Sequence, residues 1–257
     1  MCRHLAYLGA PASPADPLVG APHALLVQSY APADMRGGGT VNADGFGLAW
    51  LADDAGPPVQ YRRARPMWTD DTLPRLAGTL RPAAYVGAVR SGTPGMPVEE
   101  GACAPLVDDR WMFSHNGVVR DWPSSVAGLA EKLPVVELLG LESRTDSALL
   151  WALLRHRLAV GGDPVTEVAR LVSDVDRSAP GSRLNLVLAG RDLLVATAWT
   201  HSLSVRADPG GVAVASEPYD DDPAWQAVPD GHLVIARRAA TGAVTSTILP
   251  LDERSSE

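Results

Sequence analysis

The residue best placed for chemistry is Cys2. It follows Met1, and its small side chain is the setting in which an initiator methionine is removed. The processed chain would then carry a thiol and a free α-amine on one residue. Such a pair needs no outside base, because the thiolate attacks while the amine takes and returns the proton. An ordinary thiol and an ordinary α-amine titrate within about one unit of each other, so they exchange a proton readily near neutral pH. Taken alone, a cysteine here also reads as a small core residue at the start of a strand.

A carbonyl attacked by a thiolate develops an oxyanion that needs preorganised donors. Asn116 and Gly117, within Ser114-His115-Asn116-Gly117-Val118-Val119, offer a side-chain amide and a backbone N–H with no Cβ in the way. Between apolar runs Asn-Gly is equally a hairpin signal, and alone it reads as a turn. Arg90 ends an apolar run and precedes Ser91-Gly92-Thr93. A guanidinium beside a threonine hydroxyl suits a carboxylate, although an arginine on a surface loop is common. Asp146 opens a long helical stretch. It could face a substrate ammonium, or simply favour the helix start.

These residues need elements to hold them. His4–Gly9 reads as a strand, Leu18–Ser29 as a helix burying Leu25, Leu26 and Val27, and Arg36–Thr40 as a glycine-rich loop. Gly45 and Gly47 flank the start of a strand that runs on to Trp50. Asp70–Leu80 reads as a helix, and Ala84–Arg90 as a strand entering a turn-rich segment. Trp111–His115 reads as a strand broken by Asn116-Gly117 and resumed at Val118. Thr145–Val160, with Leu149, Leu150, Leu153 and Leu154 at helical spacing, is the clearest helix, and Val165–Val175 is a second. Six further strands follow, from Leu184 to Leu249, separated by Gly, Pro and Asp. Two strand groups with helices between them predict layered α+β packing. No internal repeat or dividing linker is visible, so 1–257 is expected to be one domain.

Composition narrows the chemistry. The chain has 257 residues, a net charge of −8 and 46% hydrophobic residues. That length supports a core without disulfide or metal, and the acidic balance argues against nucleic acid as a partner. Lys132 is the only lysine. This excludes a phosphate-binding P-loop and leaves arginine to recognise anions. The absence of a leader or a long apolar run predicts no membrane partner and a cytoplasmic location, with Cys2 and Cys103 both free. The polar tail 252–257 is expected to fray.

Nucleophile, strand-end arginine, His-Asn-Gly and helix-opening Asp occur here in a specific order. In that order the sequence resembles the glutaminase domain of class II glutamine amidotransferases, which are N-terminal-nucleophile hydrolases. Met1-Cys2-Arg3-His4-Leu5, Asn42-Ala43-Asp44-Gly45-Phe46-Gly47 and Thr145-Asp146-Ser147 carry the likeness. Arg90-Ser91-Gly92-Thr93-Pro94-Gly95 is similar to the family's Arg-Trp-Ala-Thr-His-Gly loop, with Ser91 and Pro94 at the aromatic and histidine positions. The resemblance implies a four-layer αββα sandwich and a small-molecule γ-glutamyl substrate, with no cofactor and no metal. It implies Cys2, Asn116 and Gly117 as catalytic residues. It also implies that Arg90, Ser91, Thr93, His115 and Asp146 hold the substrate.

Within that family the likeness is closer to the γ-glutamyl-hercynylcysteine sulfoxide amidohydrolases of ergothioneine biosynthesis. It rests on Leu26-Val27-Gln28-Ser29-Tyr30-Ala31-Pro32, Ala88-Val89-Arg90-Ser91, Gly95-Met96-Pro97 and Ser216-Glu217-Pro218, besides the segments above. Such a substrate carries a trimethylammonium group, for which Trp50, Trp68, Glu217, Tyr219 and Asp220 are candidate partners. Two other readings stand beside this one. A glutaminase subunit could supply ammonia to a separate synthase with the same site. Alternatively, Cys2, His4, Cys103 and His115 could belong to a metal-binding module, although no cysteine pair has close ligand spacing.

Overall fold

The computed structural model describes residues 2–35, 41–52 and 55–251. Met1, the glycine-rich segment 36–40 and the tail 252–257 lie outside the described residues.

Among the described residues, thirteen strands form two antiparallel sheets. In chain order they are β1 (Arg3–Gly9), β2 (Gly45–Leu51), β3 (Pro58–Arg63), β4 (Ala84–Arg90), β5 (Leu106–Val107), β6 (Met112–Val118), β7 (Arg183–Ala189), β8 (Leu193–Ala198), β9 (Ser204–Asp208), β10 (Gly211–Ala215), β11 (Gln226–Ala227), β12 (His232–Arg238) and β13 (Val244–Pro250). The seven-stranded sheet runs β11-β9-β10-β1-β4-β2-β3, and the six-stranded sheet runs β13-β12-β8-β7-β6-β5. The helices are α1 (Leu25–Gln28), α2 (Thr72–Thr79), α3 (Ala127–Ala130), α4 (Val135–Leu139), α5 (Asp146–Ala159) and α6 (Pro164–Ser178).

Period-two alternation gives each sheet two buried faces. Ala6, Leu8, Ala49 and Val86 meet Met112, Val187, Ala196 and Val234 between the sheets. On the outer face of the six-stranded sheet, Phe113, Leu186 and Val195 pack under Leu150, Leu154, Val168 and Val172 of α5 and α6. On the other side Leu18, Leu25, Leu73 and Ala77 cover Leu5, Phe46 and Leu48. The architecture is therefore the four-layer αββα sandwich. Both long helices start as sequence rules dictate. Thr145 Oγ1 accepts from Ala148 N at 3.2 Å, and Asp163 Oδ1 accepts from Thr166 N at 2.9 Å ahead of Pro164.

The structure differs from the sequence reading at three points. The expected helix Leu18–Ser29 is instead a π-turn at Asp16–Gly20 and the short α1, separated by the segment holding Pro22, which lacks an amide donor. Leu25 is buried there, whereas Leu26 and Val27 are only half-buried. β3 carries no strong apolar signal because it is the edge of its sheet, where Arg62 and Arg63 deter further pairing.

The third difference bears on the site. Asn116-Gly117 neither breaks β6 nor makes a turn, because the strand runs on to Val118 with Asn116 opposite Asn185 and Gly117 opposite Leu184. Glycine serves the close approach of β7: a Cβ at Gly117 would lie 1.8 Å from Arg183 O. Gly117→Ala is therefore expected to lower unfolding stability by at least about 1–3 kcal/mol. Gly128→Ala, at an exposed position in α3 with nothing within 4 Å, should be neutral or stabilising. Urea unfolding of both variants checks the pair. Equal midpoints would remove the steric account.

Candidate active site

Four elements converge where β1 begins. Cys2 immediately precedes β1 and its Sγ lies 3.8 Å from Ser91 O, just beyond β4. Cys2, Arg90, His115 and Ser147 line one narrow cleft with Ala88, Val89, Ala102 and Ala104. Its free volume of about 20 Å³ holds little more than a water.

Arg90 is the most telling of these side chains. It is 7% exposed, and its Nη1 has no hydrogen-bond partner. Among the described residues no carboxylate forms an ion pair with it. A buried guanidinium left this way is costly unless an anion arrives to complete it. The following loop is fixed from behind: Asp44 N donates to Arg90 O at 3.0 Å, and Asp44 Oδ2 accepts from Gly92 N at 2.8 Å. The neighbouring glycines then admit the 103–104 segment against β2. Gly45 sits at φ +144° with its absent Cβ 2.3 Å from Cys103 Sγ, and a Cβ on Gly47 would meet Ala104 O at 2.4 Å.

His115 is held at both ring nitrogens. Nε2 lies 2.9 Å from Arg183 O, which can only accept, so Nε2 carries the proton. In the neutral ring Nδ1 therefore accepts from Ser147 Oγ at 3.0 Å. Asp146 is 5% exposed; its Oδ2 accepts from Val119 N at 3.0 Å and its Oδ1 from Ser147 N at 2.8 Å. It thus pins the start of α5 to the end of β6, while Thr145 serves as the cap. Lone pairs remain on its oxygens for an ammonium.

Asn116 and Gly117 do not line the cleft. Asn116 is fully buried on the opposite face of β6, where Nδ2 donates to Ser216 Oγ at 3.0 Å and Oδ1 has no partner. Ser216 Oγ also accepts from His4 N at 3.0 Å, which links Asn116 to β1, the strand that follows Cys2. Thr93 is exposed on its loop, and Thr93 O accepts from Met96 N. Ser91 is half-buried and meets Cys2 through its carbonyl. Sequence reasoning missed Ser147 and Ser216 as site residues. The only signal for the latter was its place in Ser216-Glu217-Pro218.

The electrostatics around β1 are set by burial. His4, fully buried against Ser114 Oγ at 3.1 Å, has its pKa pulled down to about 3, chiefly by burial and then by His115, His201 and Arg3. It is neutral at any working pH. Arg3 is 1% exposed and pairs with Glu217 Oε1 at 2.9 Å, lies 3.2 Å from His201 Nε2, and donates to Asp34 O. Burial lowers its pKa, and the charge of Glu217 opposes that shift. Burial pushes the Cys103 thiol up to about 11. Among the described residues, no three His, Cys, Asp or Glu side chains gather closely enough for a metal.

The residues suggested for a trimethylammonium group are largely engaged elsewhere. Trp50 is core, and Trp68 meets Tyr30 edge-on at 6.0 Å. Tyr219 and Asp220 are held by Arg206, at 2.7 Å and 2.8 Å. Glu217 pairs with Arg3, yet it also lines a wide cavity of about 650 Å³ together with Gln28, Asp34, Asp221, Asp222 and Trp225. Ser216 forms part of the same wall.

Known proteins resemble this chain over most of its length. A γ-glutamyl-hercynylcysteine sulfoxide hydrolase of Mycolicibacterium smegmatis is 43% identical over 239 residues, covering 93% of this chain and 97% of that protein. One of the same name from Mycobacterium tuberculosis H37Rv is 40% identical over 235 residues, covering 91% and 92%. The chain belongs to the γ-glutamyl-hercynylcysteine sulfoxide hydrolase family. No protein-family model matches. Among solved structures, a class II glutamine amidotransferase domain protein of Silicibacter pomeroyi superposes with a TM-score of 0.67 at 22% identity, covering 97% of this chain and 99% of that one. The glutamine phosphoribosylpyrophosphate amidotransferase of Bacillus subtilis gives 0.66 at 12% identity, covering 98% of this chain and 49% of that one. Both likenesses show the fold that the family resemblance implied. In this hydrolase family member, no helix among the described residues is long and apolar enough to cross a membrane.

The two thiols should differ sharply. At pH 8 a thiol titrating near 11 is about one-thousandth thiolate. Iodoacetamide should label half-buried Cys2 in the folded protein and Cys103 only after unfolding, as read by peptide mass. Comparable labelling of Cys103 in the folded state would contradict the burial argument.

Proposed function

We propose that this chain, once Met1 is removed, hydrolyses the γ-glutamyl amide of γ-glutamyl-hercynylcysteine sulfoxide. The products are glutamate and hercynylcysteine sulfoxide, and the reaction is a step of ergothioneine biosynthesis. The carrying observation is the unpartnered, buried Arg90 guanidinium in the same cleft as the Cys2 thiol. It is the anion receptor that a glutamyl α-carboxylate requires. Family membership supplies the substrate.

In this reading Arg90, helped by Thr93 and the Ser91 backbone, holds the carboxylate, and Asp146 faces the α-ammonium. His115 shapes the wall between them. Fixing both charged groups places the γ-carbonyl over Cys2 and lowers the entropic part of the barrier. The α-amine takes the thiol proton and the thiolate adds to the carbonyl carbon. Negative charge moves to oxygen, where Asn116 Nδ2 and Gly117 N donate. Asn116 has two amide protons and Ser216 uses one, so the second is available. Collapse breaks the C–N bond, and the leaving nitrogen receives the proton from the α-ammonium. A γ-glutamyl thioester remains on Cys2. Water adds with its proton passing to the same amine, and collapse returns the thiol and releases glutamate. One water is consumed and no cofactor is needed.

The wide acidic cavity supports the other half of the substrate. Its acidic wall, with Asp34, Glu217, Asp221 and Asp222, suits a permanent cation by its overall charge, while the Trp225 ring and Asp222 already face Arg206, at 5.1 Å and 3.5 Å. Gln28 Oε1, buried without a partner in the same wall, is free to accept from the imidazole N–H.

Glutamate release from the sulfoxide conjugate tests the reading. Cys2→Ala should be inactive. Asn116→Ala should stay folded with kcat lowered about 10²–10³-fold. Arg90→Gln should lower kcat/KM about 10–100-fold, the loss expected for hydrogen bonds to a charged partner. Near-normal turnover by Asn116→Ala or Cys2→Ala, or faster cleavage of free glutamine than of the conjugate, would overturn it.

A further inference from the structure

We propose that Ser216 is a positioning residue whose hydroxyl sets the donor geometry of Asn116; the proposal rests on the oxyanion role given to Asn116 above. Ser216 lies one residue past β10 and is completely buried. Its backbone N donates to His4 O at 2.9 Å and so extends the β10–β1 ladder by one step. Its hydroxyl then takes the place that the next ladder acceptor would occupy. Oγ accepts from His4 N at 3.0 Å and from Asn116 Nδ2 at 3.0 Å, and donates to His4 O at 3.2 Å. One proton and two lone pairs are thereby all used.

This is an unusual load for a structural serine. A hydroxyl kept only to extend a sheet would bond to backbone alone. Here one atom joins the strand that carries Cys2 to the side chain expected to stabilise the oxyanion. The rest of the Asn116 amide has no restraint, since Oδ1 is buried and unpartnered. The Nδ2–Oγ bond is the contact that fixes which way the amide plane faces, and with it the direction of the second N–H. A donor must meet the oxyanion, rather than the ground-state carbonyl, within a few tenths of an ångström. A loosened amide therefore loses rate and keeps ground-state binding. No hydrogen bond joins Ser216 to Arg90 or Asp146 among the described residues, and although Ser216 borders the wide cavity its buried hydroxyl is spent on His4 and Asn116, so KM should be spared.

The test compares Ser216→Thr with Ser216→Val, which have the same shape and differ in the hydroxyl. Ser216→Ala serves as a third variant without added volume. Folding of each is checked by circular dichroism and melting. Ser216→Val and Ser216→Ala should lose about 10–100-fold in kcat with little change in KM, part of what full removal of the donor costs. Ser216→Thr should stay close to wild type. The decisive measurement is a double-mutant cycle with Asn116→Ala, because residues acting through one another do not add. In the Asn116→Ala background, removing the Ser216 hydroxyl should cost nothing further. Additive losses, a rise in KM in place of a fall in kcat, or equal rates for the Thr and Val variants would overturn the proposal while leaving the oxyanion reading intact. If Asn116→Ala alone turns over normally, the oxyanion reading itself fails. Should both hydroxyl-free variants fail to fold while Ser216→Thr folds, a purely structural role is indicated and the proposal is rejected.

Discussion

The structure depends on holding Cys2 still. Cys2 leads directly into an inner strand of the larger sheet. β1 lies between β10 and β4, so Arg3 and His4 are paired from their first atoms. Beside them the layer between the sheets turns from hydrocarbon to polar: His4, Ser114, Asn116 and Ser216 replace the alanines and valines found further along. The buried Arg3–Glu217 pair adds a charged anchor one residue from the thiol. Removing one member of such a pair costs about 3–5 kcal/mol, because the other is left buried and alone.

That anchoring is what the proposed mechanism needs. In it the reacting groups of Cys2 belong to one residue, so their mutual geometry is covalent. What the fold must supply is the position of that residue relative to the proposed substrate receptors. It does so with strand ends, which are stiff: β4 brings Arg90, β6 brings His115 and Asn116, and the first turn of α5 brings Ser147 and Asp146. The neutral state of His4 fits the same logic. A proton there would put a second cation beside Arg3 at a fully buried ring.

Much of this was legible in the sequence. Apolar runs marked β1, β4 and β7, which are buried on both faces, and leucines at helical spacing marked α5. The order of Cys2, Arg90, His115-Asn116-Gly117 and Asp146 pointed to the family and to four layers. The failures have physical causes. Asn116-Gly117 carries a turn signal that arises from local backbone preference, and the glycine was needed for contact with Arg183, which lies 66 residues away in the chain. β3 was missed because an edge strand need not be apolar. Ser147 and Ser216 were missed because a serine has no distinctive pattern, and only the partners of its hydroxyl reveal its use. Tyr219 and Asp220 looked available for a cation, but Arg206 already fills that place.

The account stands on covalent chemistry at the processed terminus. Its most direct test is the intact mass of Met1-free protein mixed with γ-glutamyl-hercynylcysteine sulfoxide and quenched in acid during turnover. The account predicts a species heavier by one γ-glutamyl group, mapped by fragmentation to the Cys2 sulfur, and no such species when Met1 is retained. A glutamyl group on any other residue, or glutamate release from a chain that keeps its methionine, would contradict it.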